Sequence, residues 1–134
     1  MTADEAAQEW QRGAQRAFKA AKDLLATENY EMALFACHLA VEKQLKSLYL
    51  STQKEEPPKI HNLEKLCHEI SFSLEETDRV DLRELASFAA FGRYGDESWL
   101  EVEATQENVQ HWIMRVEHFP VSYTHLRAHE TYRD

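Results

Sequence analysis

The chain is 134 residues long, the length of one domain, and carries 24 acidic against 15 basic side chains for a formal net charge of -9. That charge works against bulk DNA or RNA binding by phosphate neutralisation, though it leaves room for a small local basic site. A hydrophobic share of 43% with only 3 Gly and 3 Pro suits a helical protein with a real core and few turns.

The first predicted helix runs from about Ala3 to Ala26. Thr2 followed by Glu5 forms a capping box, and Asp4 and Glu5 suit the positive end of the helix dipole. Trp10, Ala14, Ala17, Phe18, Ala21, Leu24 and Leu25 make its apolar stripe, and Gly13 weakens it slightly. The link Thr27-Glu28-Asn29 is short enough to force an antiparallel hairpin, with Asn29 as the expected N-cap of the next helix.

That second helix, Tyr30 to about Ser51, holds the most informative stretch, YEMALFACHLAVEKQLKSLYL. Tyr30, Ala33, Leu34, Cys37, Val41, Leu45 and Leu48 step by three and four and form one stripe. Met32, Phe35 and Leu39 widen the apolar surface beyond the needs of one neighbour, as in a central helix. Glu42, Lys43, Gln44 and Lys46 then interrupt it with a dense polar patch. The expectation is a core helix whose C-terminal half also meets a partner or a ligand.

Thr52 to Lys59 is polar and contains Pro57-Pro58, which cannot continue a helix, so it reads as the main exposed loop. A third helix opens near His61 or Asn62 and turns Leu63, Leu66, Cys67 and Ile70 inward. Ser73 with Glu76 is a capping-box candidate for a fourth helix, whose apolar members are Leu74, Val80, Leu82, Leu85, Phe88 and Ala89. The pattern breaks at Gly92, and 93–104 reads as an acidic turn with exposed Tyr94 and Trp99. Thr105 caps a last helix with Val109, Trp112, Ile113, Val116 and Phe119 on its stripe, stopped by Pro120. The whole is all-α, an up-and-down bundle of four to five helices occupying residues 1–120.

After Pro120 the chain reads VSYTHLRAHETYRD, without apolar periodicity. VSYTHLRAHET resembles the in-frame translation of a sequencing-adapter sequence, so 121–134 is expected to be a non-native tail replacing the natural C-terminus near Phe119. Its Arg127 and Arg133 offset Glu130 and Asp134, and the net charge stays at -9 without it. No basic region followed by an apolar block opens the N-terminus, and no apolar run is long enough to span a bilayer. A cytoplasmic protein without a membrane partner is expected, prokaryotic in size and style.

Few constellations carry chemistry. His125 and His129 have the spacing of two helical metal ligands, but they lie in the tail and Leu126 stands where a metalloprotease would have glutamate. No metal site and no cofactor is called for. His38 reads as a core or interface group and not as a catalytic base, and His68 and His111 default to the surface. Cys37 and Cys67 read as small buried hydrophobes in a reducing compartment. There is no glycine-rich phosphate loop, no GxSxG elbow and no repeated Glu-x-x-His pattern.

Three places remain. Glu42, Lys43 and Lys46 lie within one turn of the second helix, and their bland reading is an exposed ion-pair surface worth a few tenths of a kcal/mol, roughly. His61 opens the third helix after the exposed loop. Arg93-Tyr94, between Gly92 and Gly95, sets a guanidinium beside an aromatic, a pairing suited to anion or base recognition. A helix C-cap in which Arg93 stabilises the last carbonyls is equally consistent there.

Taken in order, these segments resemble the HEPN family of nucleotide-binding domains. In that family the second helix reads as small residues and then Ala-x-Glu-Lys-x-x-Lys, matched here by Ala40, Glu42, Lys43 and Lys46. The family's His-Asp-Leu is matched by His61, Asn62 and Leu63, and its Arg-Tyr-Pro corner by Arg93, Tyr94 and Gly95, with the proline lost. The resemblance covers most of Ala3 to Phe119. It implies a helical bundle that assembles as a homodimer. Many members are paired with a minimal nucleotidyltransferase in toxin–antitoxin systems, and others are metal-independent ribonucleases using Arg followed, after four to six residues, by His.

Arg12, Arg16, Arg79, Arg83, Arg93, Arg115 and Arg127 all lack a histidine at that distance, and Arg115 and His118 are too close. A general base and a cation must converge on one phosphate for such cleavage, and the family's pair is missing. No catalytic residue is therefore expected. The resemblance implies a non-catalytic module that dimerises and binds a nucleotidyltransferase-type partner, or a nucleotide near Lys43, Lys46, His61, Arg93 and Tyr94. The alternative is a ribonuclease toxin with an altered site, drawing on His38 or His61 with Arg93. A structural bundle without a ligand is the third option.

Overall fold

In the computed structural model, the residues described are 1–59, 62–70, 74–90 and 102–119. They form α1 (Ala3–Ala26), α2 (Tyr30–Gln53), α3 (Leu63–Glu69), α4 (Glu76–Ser87) with a 3-10 turn at Phe88–Ala90, and α5 (Gln106–Glu117). No strand occurs among the described residues, and the fold is the expected all-α bundle. The predicted His61, Gly92, Arg93, Tyr94, Trp99 and Pro120, and the tail at 121–134, lie outside the described residues.

Helix α1 begins where its capping box predicts: the Thr2 hydroxyl accepts from the Glu5 amide at 3.1 Å and the Glu5 carboxylate accepts from the Thr2 amide at 3.4 Å. The turn to α2 is made by Glu28, whose positive φ of 62° reverses the chain within three residues. Asn29 occupies the N-cap position of α2 but does not cap it. Its side-chain nitrogen turns back to donate to the Thr27 carbonyl and hydroxyl, which engages the side chain with the turn and not with the first amides of the helix.

Helix α2 runs two residues beyond the expected Ser51, because Lys54 takes a left-handed conformation and donates its amide to the Leu50 carbonyl, closing the helix at Gln53. It is the central element, packed on α1 along its length and on α3, α4, α5 and the 3-10 turn elsewhere. Ala33, Leu34, Cys37, Val41, Leu45 and Leu48 are all buried, as their spacing predicts. The second flank is only half sheltered: Phe35 and Leu39 are partly buried and Met32 is exposed.

The shorter elements close the core. Asn62 caps α3 by accepting from the Lys65 amide at 3.1 Å, and Leu63, Leu66, Cys67 and Ile70 point inward. The capping box of α4 is formed by Glu75 and Asp78, so the helix starts two residues later than the Ser73–Glu76 pair predicts; Ser73 itself lies outside the described residues. The Asp78 carboxylate accepts from the Glu75 amide at 3.3 Å, and both carboxylates suit the positive end of the helix dipole. Val80, read as core, is exposed, because the inward arc of α4 is set by Leu82, Leu85 and Phe88. Thr105 caps α5 by accepting from the Asn108 amide, and Trp112 packs edge-on against Phe88 at 5.6 Å between centroids.

Candidate functional site

The antiparallel α1–α2 seam decides where the polar stretch of α2 goes. Gly13 faces Lys43, Trp10 faces Lys46, Ala7 meets Ser47, and Asp4 meets Lys54. The Ser47 hydroxyl donates to the Ala7 carbonyl at 2.7 Å in a buried hydrogen bond, and Lys54 pairs with Asp4 at 2.7 Å. This register turns Glu42, Gln44 and Lys46 into the molecule instead of out to solvent. All three are buried, with Lys46 8% exposed, which overturns the reading of a solvated ion-pair surface.

Within α2, three ionisable side chains line up at successive i, i+4 steps. The Glu42 carboxylate lies 3.7 Å from Lys46 Nζ, an ion-pair separation, and 3.8 Å from His38 Nε2; both distances exceed that of a hydrogen bond. Lys46 Nζ also sits 5.3 Å from the centroid of the Trp10 ring, whose negative face attracts the ammonium. A buried carboxylate below and an indole beside it hold the ammonium in one place. His38 is 1% exposed, with Phe35 alongside at 6.2 Å between ring centroids. In this position it cannot reach an RNA phosphodiester, which removes it from the altered-ribonuclease reading.

Lys46 lines a groove of about 520 Å³ between the start of α1, the end of α2 and the following loop. Trp10, Ala6 and Leu50 give it an apolar wall and Pro57 and Pro58 another; Lys54, Lys59, Glu55 and Glu56 also line it, with Lys54 paired to Asp4. A flat aromatic face beside a fixed ammonium can stack a planar group and neutralise an attached anion. Lys43 is not in that groove. It lies along the seam, and a Cβ built on Gly13 would come within 3.2 Å of Lys43 Cδ, so Gly13 provides the space for the lysine stem.

The structure thus separates Lys43 from Lys46 and joins Lys46 to Trp10, a residue whose place on the apolar stripe of α1 predicts only a core role. The available signal was the hairpin itself: a short link between two long helices sets residues near the start of α1 opposite those near the end of α2. His61, Arg93 and Tyr94 fall outside the described residues, so their relation to this groove is not part of the geometry.

The cysteines carry no chemistry here. Cys37 and Cys67 are free and buried, and burial pushes each thiol up to about 12, with Glu64 and Asp78 adding to the effect at Cys67. Among the described residues no three His, Cys, Asp or Glu side chains gather as metal ligands would. Nor, among them, is any helix long and apolar enough to cross a membrane.

A family model described as the HEPN domain matches residues 7–120. No curated protein and no solved structure matches the chain. The match spans most of the 134 residues, and the chain belongs to the HEPN domain family.

Proposed function

Starting from that membership, we propose that residues 1–120 act as a non-catalytic binding module, a homodimer that takes a nucleotide, a nucleotidyltransferase-type protein, or both, in a toxin–antitoxin-like pair. One observation carries the reading: Lys46, at a recurring motif position of the family, is held by Glu42 against Trp10 at the wall of an open groove. A lysine kept merely for solubility would not be buried. The groove's size lies within the range of small-ligand sites, and its aromatic wall beside a cation fits a base and its phosphate. Lys43, His61, Arg93 and Tyr94 remain proposed ligand contacts on the strength of the family motif alone.

The test is a calorimetric titration of the full chain with AMP and ATP, run beside the Lys46→Gln variant, which removes the charge and retains a polar partner for Glu42. The expected result is saturable binding that weakens about tenfold in the variant, the equivalent of one charge-assisted contact. Absence of heat with either nucleotide removes the nucleotide arm. Failure to co-purify with a nucleotidyltransferase encoded by the neighbouring gene removes the partner arm. Sustained RNA cleavage by the wild type that is lost in Arg93→Ala would establish the enzyme reading instead.

A further inference from the structure

A second groove, of about 510 Å³, lies between α3 and α4 on a molecule whose overall charge is -9. Lys65 and His68 of α3 line one side, and Arg79 and Arg83 of α4 line the other. Each pair is spaced by three or four residues, so both helices turn their basic positions to the same cleft. Three permanent cations and a histidine therefore converge where composition alone gives no reason for one.

Three carboxylates stand around them, Glu64, Glu76 and Asp78, and each has a definite engagement. Glu64 lines the groove and accepts from Arg83 Nε at 2.8 Å and from Arg83 Nη2 at 3.3 Å, a two-pronged contact. Glu76 reaches Arg79 only at 4.0 Å. Asp78 is engaged with the Glu75 amide at the cap of α4. Lys65 and His68 make no ion pair among the described residues. Cys67, at the floor, is 1% exposed and its thiol is held neutral by burial, so it adds no negative charge.

We infer that this α3–α4 groove is a binding site for the phosphate group of a small phosphorylated compound, with Arg79, Arg83 and Lys65 as its cationic contacts and His68 at its edge. Glu64 shows that the Arg83 fork is set to receive two oxygens of one anion. An acidic peptide would bring only another carboxylate to displace one already in place. A phosphate brings a second charge and a third oxygen, enough to engage Arg83, Arg79 and Lys65 together. A polynucleotide would have to approach against the -9 charge of the whole chain, whereas a small anion meets only the local field. The inference stands apart from the Trp10–Lys46 groove, and either can fail without the other.

The test is an NMR titration of the full chain with inorganic pyrophosphate, following the backbone amides of Lys65, His68, Arg79 and Arg83 and the His68 ring. Saturable shifts below about 5 mM are expected at these residues, while the Trp10 indole stays still. Arg79→Gln and Lys65→Gln should each weaken binding about tenfold. Glu64→Gln should strengthen it about threefold by releasing Arg83 from an exposed pair, a gain that a purely structural salt bridge would not give. No saturable shift, unchanged affinity in Arg79→Gln, or a loss or no change in Glu64→Gln would overturn the inference. Tighter binding of a single-stranded RNA oligonucleotide at the same residues would overturn it too, in favour of a nucleic-acid surface.

Discussion

At the residue scale the decisive change is the burial of Glu42 and Lys46. An exposed lysine–glutamate pair contributes about 0–1 kcal/mol, whereas removing one partner of a buried pair costs several times more because the other charge stays behind without water. Lys46→Ala is therefore expected to destabilise the fold by about 3 kcal/mol, read as a lowered urea midpoint. A loss under about 0.5 kcal/mol would return the pair to the surface role that its i, i+4 spacing alone suggests. The thiols give a second check, with a definite sign. Cys37 and Cys67 are raised from 9.0 to about 12 in the fold, so the protonated thiols favour the folded chain. That contribution is complete below the unfolded thiol value and is lost as pH climbs from about 9 towards 12. Urea denaturation at pH 8, 10 and 11 should show a fall in stability that becomes shallower when both cysteines are replaced by alanine.

At the element scale, the hairpin of α1 and α2 explains most of what the site is. Its register places Trp10 beside Lys46 and Gly13 beneath Lys43, and it depends on a turn that a single residue makes possible. Glu28 holds φ at 62°, where a side chain costs roughly 1–2 kcal/mol that glycine avoids, partly offset by glycine's greater freedom in the unfolded chain. Glu28→Gly should therefore raise stability by about 0.5–1 kcal/mol in thermal or urea unfolding. A decrease would mean that the Glu28 side chain, and not the backbone, holds the turn. The limits of α1 were legible because Thr2 and Glu5 carry their own capping chemistry. The end of α2 and the cap of α4 were not. Lys54 closes α2 by a left-handed turn that no proline or glycine announces, and Glu75 takes a capping role that is more familiar for serine.

At the scale of the whole molecule, the central place of α2 was legible from its apolar width, and the structure packs it on every other helix described. What the pattern did not reveal was that its polar half is also internal. Amphipathic spacing records which residues repel water and not which charges a neighbouring helix will cover. Trp10 shows the same limit: it sits on the apolar stripe of α1 and also forms one wall of the groove. The basic α3–α4 cleft was hidden because Lys65, His68, Arg79 and Arg83 are dispersed in sequence and meet only when two short helices pack. Net charge pointed the other way.

Lys46 and Trp10 together form the proposed binding surface of this HEPN module. The most direct measurement is the indole N–H resonance of Trp10 during titration of the full chain with AMP. A saturable shift at Trp10, with the buried Trp112 indole unmoved and the effect greatly reduced in Lys46→Gln, is the result predicted. A Trp10 resonance that stays fixed while AMP binds elsewhere, or does not bind at all, would contradict it.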